Sequence, residues 1–169
     1  IVIEGIDGAG KTTIAIALAD HLRSTRGIDV RIHREPSGMG IGAKVREWIV
    51  GGRKLSNASW TCAMFTAMLA QAEETRRLLA EGAWVIMDLY WISTLAYQGS
   101  IAEILLNNGV ADDMPHPDLV LFLDCSPAEA LARLGTSEKA PDQFEAPTKL
   151  AQAAARYHSI LARGNRWGL

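Results

Sequence analysis

Short apolar, β-branched runs alternate along the chain with longer stretches whose apolar residues recur at helical spacing. Ile1-Val2-Ile3-Glu4 is β-branched and ends on glycine, which predicts a buried strand. Lys11 to Arg26 places Ile14, Ala15, Leu18, Ala19 and Leu22 on one helical face, and Gly27 stops it. Asp29 to His33 reads as a second strand, followed by a loop from Arg34 to Gly42 with three glycines and a proline. Ala43 to Val50 predicts a short helix closed by Gly51-Gly52. Ser56 to Glu81 predicts a long alanine-rich one, with Asn57 or Ser59 as its N-cap. Trp84 to Asp88 is a third buried strand that ends on an acid. A helix is expected over Ser93 to Asn107, broken by Asn107-Asn108-Gly109. Asp118 to Asp124 predicts a fourth strand. Pro127 opens a helix through Leu134, Gly135 to Pro147 is polar and irregular, and Thr148 to Ala162 is a last helix. This alternation predicts an α/β class, a parallel sheet with helices on both faces in three layers.

The 169 residues suffice for one domain with a real core and are too few for two ordinary ones. Hydrophobic residues at 49% and charged residues at 21% are the balance of a folded chain. A formal net charge of -2 removes the global basic field that nucleic-acid binding needs, so any attraction for phosphate comes from locally placed groups. No apolar run is long enough for a membrane span, and no membrane partner is expected. Cys62 and Cys125 lack CxxC spacing, so reduced, buried thiols and a cytoplasmic location are expected. The chain opens on its first strand and stops at Arg166-Trp167-Gly168-Leu169, where another strand is due. The expectation is therefore that leading residues and a final strand and helix are missing.

Between the first strand and the first helix, Gly5-Ile6-Asp7-Gly8-Ala9-Gly10-Lys11-Thr12 fits GxxxxGK[ST], the phosphate-binding P-loop. Glycines let successive backbone N–H groups turn toward phosphate oxygens, and the helix N-terminus adds its dipole. Lys11 would bridge the terminal phosphates of ATP, and the Thr12 hydroxyl would ligate Mg²⁺. The expected ATP-binding set is Gly5, Ile6, Asp7, Gly8, Ala9, Gly10, Lys11, Thr12 and Thr13. Asp88, at the carboxyl end of a predicted strand, would face the metal ion or its waters.

From this motif onward the chain resembles the thymidylate kinase family of P-loop nucleotide kinases, block by block and in order. EGIDGAGKTT is similar to the family's opening. Arg34-Glu35-Pro36 with Ile41-Gly42 and Arg46, Gly82 to Tyr90, Ser93 to Gly99, Pro117 to Leu123 with Arg133, and Asp142-Gln143-Phe144-Glu145 match the blocks that follow. The resemblance implies one nucleoside-monophosphate-kinase-like domain over 1–169 with a lid at about 135–147. It also implies transfer of the ATP γ-phosphoryl group to a pyrimidine deoxynucleoside monophosphate, dTMP to dTDP. It assigns catalysis to Lys11, Asp88 and Arg133, with Lys139 a weaker stand-in for the lid cation, and metal binding to Thr12 and Asp88. It assigns the acceptor to Asp7, Arg34, Phe65, Tyr97 and Gln98, with Phe65 stacking on the base and Asp7 on the sugar hydroxyl. A homodimer through the apolar Trp60 to Leu69 stretch is a further implication, with burial in the chain's own core the other reading.

Three positions depart from the family pattern. Leu89 stands where an arginine follows the strand-end acid, Met68-Leu69 replaces Asp-Arg, and Gln143 replaces the lid arginine. All three losses fall on the acceptor side. Two alternatives therefore stay open: a kinase of a modified pyrimidine nucleotide or nucleoside-like acceptor, and a nucleotide-binding regulatory protein with little transferase activity.

Overall fold

A computed structural model describes residues 1–136 and 142–163 of the chain. Four parallel strands, β1 (Val2–Glu4), β2 (Val30–Arg34), β3 (Trp84–Asp88) and β4 (Val120–Phe122), form one sheet in the order β2-β3-β1-β4. Helices α1 (Lys11–Arg26), α2 (Gly40–Val50), α3 (Asn57–Ala80), α4 (Trp91–Gln98), α5 (Ser100–Leu105), α6 (Pro127–Gly135) and α7 (Pro147–Ala162) connect and cover them.

Successive strand residues point to opposite faces, and here both faces are apolar because both are covered. Val2, Val85 and Met87 join a core with Phe65, Met68, Leu95, Leu150 and Tyr157 from α3, α4 and α7. Their neighbours Ile3 and Ile86, with Val30, pack on Ala15 and Ala19 of α1. The two alanines are fully buried, which lets α1 lie close to the sheet and fixes the height of the loop before it. A third cluster joins Val45 and Ile49 of α2 to Trp60 and Ala67 of α3. Among the described residues no helix is long and apolar enough to cross a membrane.

Several boundaries differ from expectation. The N-cap of α3 is Ser56, whose hydroxyl accepts the Ser59 N–H at 3.0 Å; neither Asn57 nor Ser59 fills that role. Helix α2 starts at Gly40, three residues before Ala43, and β4 is shorter than Asp118 to Asp124. The helix expected over Ser93 to Asn107 is two helices parted at Gly99, which has φ 67. Arg156 of α7 sits at that break: its Nη1 donates to the carbonyls of Ala96 and Tyr97 at 3.1 and 3.0 Å, and a Cβ on Gly99 would lie 3.3 Å from the guanidinium carbon. The break expected at the asparagine–glycine cluster is present, with Asn108 and Gly109 outside helical conformation. Cys62 is exposed, against the expectation of a buried thiol, while Cys125 is buried, and both are free. Lys139 and the chain from 164 onward lie outside the described residues.

Candidate active site

The loop between β1 and α1 is shaped by backbone that only glycine adopts easily. Gly8 has φ 84, and a Cβ there would sit 2.5 Å from the Ala130 carbonyl oxygen of α6, so any side chain would push loop and helix apart. Helix α1 begins with no side-chain cap and no acid in its first turn. Its leading N–H groups and its positive dipole end are thus left for an anion. Lys11 is buried at 7% exposure. Its Nζ donates to the carbonyls of Gly5 and Ile6, both at 2.9 Å, and lies 3.4 Å from Asp7 Oδ1. The Thr12 hydroxyl donates to Asp88 Oδ2 at 2.6 Å. Strand register brings these groups level, since Asp88 pairs with Ile3 on one side and with Arg34 on the other. Arg34 Nε accordingly lies 3.7 Å from the same carboxylate oxygen.

Beneath the loop, Glu4 is buried with both oxygens bonded. The Tyr90 N–H donates to Oε1 at 3.0 Å and the Tyr157 hydroxyl to Oε2 at 2.7 Å. Burial pushes its carboxyl up to about 8, against the pull of Tyr157 and of the Lys11 charge. This contact ties the end of β1 to the turn after β3 and to α7, so three elements hold the loop's root.

A cavity of about 590 Å³ runs from this loop to an apolar wall. At its polar end stand Gly8, Gly10, Lys11, Thr12, Thr13, Arg34 and Asp88, and at its apolar end Ile49, Val50, Met64 and Phe144. Asp7 and Tyr97 stand between: the Asp7 N–H donates to Tyr97 Oη, and the Tyr97 hydroxyl donates to Asp7 Oδ2, each at 3.1 Å. Burial, and then the Asp7 charge, push the Tyr97 phenol well above its usual range, so it stays a donor.

The acceptor-side groups are less settled. Arg46 Nη2 donates to the Pro36 carbonyl, while its Nε is buried without a partner. Glu35 is 7% exposed, and neither of its oxygens makes a hydrogen bond of ordinary geometry. Burial pushes its carboxyl up to about 7, opposed by the nearby Ser37 N–H and the Arg46 charge. Gln98 is held by its backbone, whose carbonyl accepts from Asn57 Nδ2 at 2.8 Å, and its Oε1 is buried and unpartnered. Leu89 lines the cavity with φ 79, a conformation rare for a branched side chain.

The cavity thus gathers Asp7, Gly8, Gly10, Lys11, Thr12, Thr13, Arg34, Asp88, Tyr97, Gln98 and Arg133 from the expected set. Gly5, Ile6 and Ala9 lie below it; Gly5 and Ile6 contribute carbonyls to Lys11, and Ile6 and Ala9 are core side chains. Arg133 lies along the loop, with Nη1 3.4 Å from the carbonyls of both Gly8 and Ala9. Phe65 is a correction: at 3% exposure it belongs to the core cluster and does not line the cavity. The neighbouring Met64 does, because residues adjacent on a helix point about 100° apart. Phe144, half-buried, lines the cavity instead, edge-on to Trp60 at 5.4 Å and to Tyr97 at 6.0 Å. Leu69 packs against the core, and Trp60, Phe65, Ala67 and Met68 are buried in the chain's own interior, the second of the two readings given for that stretch. Glu35, Met64 and Phe144 also line the cavity and lie outside the expected set. Glu35 carried a signal, an acid near the start of the predicted glycine-rich loop.

A phosphate loop with its lysine, a hydroxyl–carboxylate pair at the strand ends, and a second compartment opening from the same cavity define a P-loop nucleotide kinase. The family model for thymidylate kinase matches residues 3–168. The chain is 35% identical to a thymidylate kinase of Xanthomonas campestris pv. campestris (strain B100), over 97% of this chain and 72% of that one. It is 31% identical to a thymidylate kinase of Leptospira borgpetersenii serovar Hardjo-bovis (strain L550), over 96% and 81%, and 34% identical to that of Chlorobaculum parvum, over 95% and 82%. The chain belongs to the thymidylate kinase family.

Proposed function

We propose that the protein transfers the γ-phosphoryl group of ATP to dTMP, giving ADP and dTDP. One observation carries the reading: a single cavity joins the phosphate loop to the Asp7–Tyr97 pair and an apolar wall, so two substrates can meet inside it. Phosphoryl transfer needs positioning and charge neutralisation more than a strong base. Lys11 exchanges the Gly5 and Ile6 carbonyls for donor phosphate oxygens, alongside the α1 amides. Asp7 and Tyr97 take the acceptor sugar, while Ile49, Val50, Met64 and Phe144 shelter its base. Arg34 and Arg46 face the acceptor phosphate, and Arg133, beside the loop, neutralises charge in transfer.

Thr12 and Asp88 are hard oxygen donors of the kind Mg²⁺ takes. Among the described residues no cluster of three His, Cys, Asp or Glu side chains is set to hold a metal, which suits an ion ligated chiefly by substrate phosphates and water. When bound, the ion neutralises charge on the donor phosphates. A cytoplasmic setting fits the two free cysteines.

The test is ADP release by the purified protein with Mg-ATP and a panel of pyrimidine nucleosides and monophosphates. Release that depends on dTMP is expected. Release with another acceptor alone would replace dTMP in the reading, an outcome Leu89 favours by putting an apolar side chain where the family pattern has one more guanidinium. Release with none would leave a nucleotide-binding protein.

A further inference from the structure

Four side-chain polar atoms among the described residues are buried without a hydrogen bond of ordinary geometry: Glu35 Oε1 and Oε2, which have only the nearby Ser37 N–H, Arg46 Nε and Gln98 Oε1. All belong to residues that line the cavity. A buried polar atom without a partner destabilises a fold, and a carboxylate does so most. A fold keeps such groups at functional sites, where a ligand completes them.

Glu35 and Arg46 form a local unit. The Glu35 N–H donates to the Asp88 carbonyl at 3.2 Å, which fixes the residue at the end of β2. Pro36, next in the chain, supplies the carbonyl that holds one Arg46 nitrogen. The Glu35 and Arg46 charges act on each other without a hydrogen bond between them. Arg46 is thus held at one nitrogen, with its buried Nε left unpartnered. The other cation on this side, Arg34, is shared with Asp88 at 3.7 Å, and position 89 carries leucine.

We propose that Glu35 is a positioning residue for Arg46, drawing one edge of the guanidinium so that the other meets the acceptor's phosphate two-pronged. A planar guanidinium grips phosphate well only when its plane is set beforehand, and a carboxylate on the opposite edge sets it. The inference rests on the acceptor reading above and adds to it the residue that aims its phosphate contact.

Glu35→Gln, Glu35→Leu, Arg46→Lys and the Glu35→Leu/Arg46→Lys pair test it, with Tm of the free protein and both KM values measured, dTMP being the acceptor. Glu35→Leu should raise or preserve Tm while raising the acceptor KM by at least about tenfold, the size of one loosened charge-assisted contact. Its ATP KM should stay within about twofold. Glu35→Gln, which still accepts a hydrogen bond, should recover part of the acceptor affinity. Adding Glu35→Leu to Arg46→Lys should change the acceptor KM little further, since Glu35 acts through that guanidinium.

An unchanged acceptor KM, additive effects in the pair, or a fall in Tm with both KM values rising together overturns the inference alone. A wild-type protein that phosphorylates only acceptors lacking a phosphate, or none, overturns it together with the dTMP reading.

Discussion

The buried Glu4 makes a quantitative prediction about stability. Its carboxyl titrates near 4.5 when exposed and about 8 in the fold. The folded state therefore holds a proton that the unfolded chain releases between those values. Stability from this group is fully present below about 4.5 and is lost as pH rises to about 8. At about 1.4 kcal/mol per pH unit, the span amounts to roughly 5 kcal/mol, or about 10–20 °C in Tm for a chain of this size. Glu4→Gln keeps the shape and stays neutral: its carbonyl can accept the Tyr90 N–H, and its amide can donate to Tyr157 Oη, 3.4 Å from the Gly5 carbonyl. Thermal unfolding of both proteins from pH 4.5 to 9 gives a difference curve in which Glu35, raised to about 7, and His33, lowered by burial, titrate in both and cancel. The variant should gain on the wild type steadily up to about pH 8 and level off beyond. A difference flat across the range would refute the assignment of a buried, proton-holding Glu4.

Two further substitutions probe the acceptor end. Leu89→Arg adds no backbone strain, because position 89 already holds a non-glycine residue at φ 79; one charge-assisted contact should lower the dTMP KM roughly ten- to hundred-fold, and an unmoved KM would refute this. Phe144→Leu should raise the dTMP KM with little change in Tm, since it removes two edge-on ring contacts worth about 0.5–1.5 kcal/mol each at the cavity wall. Phe65→Leu should lower Tm by several degrees and spare the dTMP KM, in keeping with a core side chain. The reverse pattern in the two phenylalanine variants would restore Phe65 as the base-facing ring.

The order of strands and helices was legible because buried parallel strands read as continuous apolar runs, and this chain punctuates them with glycine. The phosphate loop was legible because its chemistry is local: Gly8, Gly10, Lys11 and Thr12 act within a few residues of one another. Where a side chain's role depends on distant partners, reading failed. Phe65 and Met64 are neighbours on one apolar helix, and only tertiary packing decides which is buried in the core and which lines the cavity. The carbonyls at the Gly99 break are met by Arg156, 60 residues from Ala96, a partner no local propensity announces. The cap of α3 slipped by one residue because Ser56, Asn57 and Ser59 can all cap, and geometry selects among them.

The two halves of the cavity differ in how complete they are without substrate. On the proposed donor side Lys11, Thr12 and Asp88 are bonded to the loop or to one another, so ATP would replace existing contacts with equivalent ones and the net gain per contact would be small. On the proposed acceptor side Glu35, Arg46 and Gln98 carry unmet hydrogen-bonding capacity, so a fitting acceptor would supply contacts the empty protein lacks. An acceptor that leaves them unmet loses that gain entirely, which is how a polar site rejects a near-miss more sharply than an apolar one. Discrimination between substrates is therefore concentrated at the end of the cavity where Leu89 stands in place of the family's arginine. In the proposed assignment that end selects the acceptor nucleotide, while the phosphate loop holds the donor.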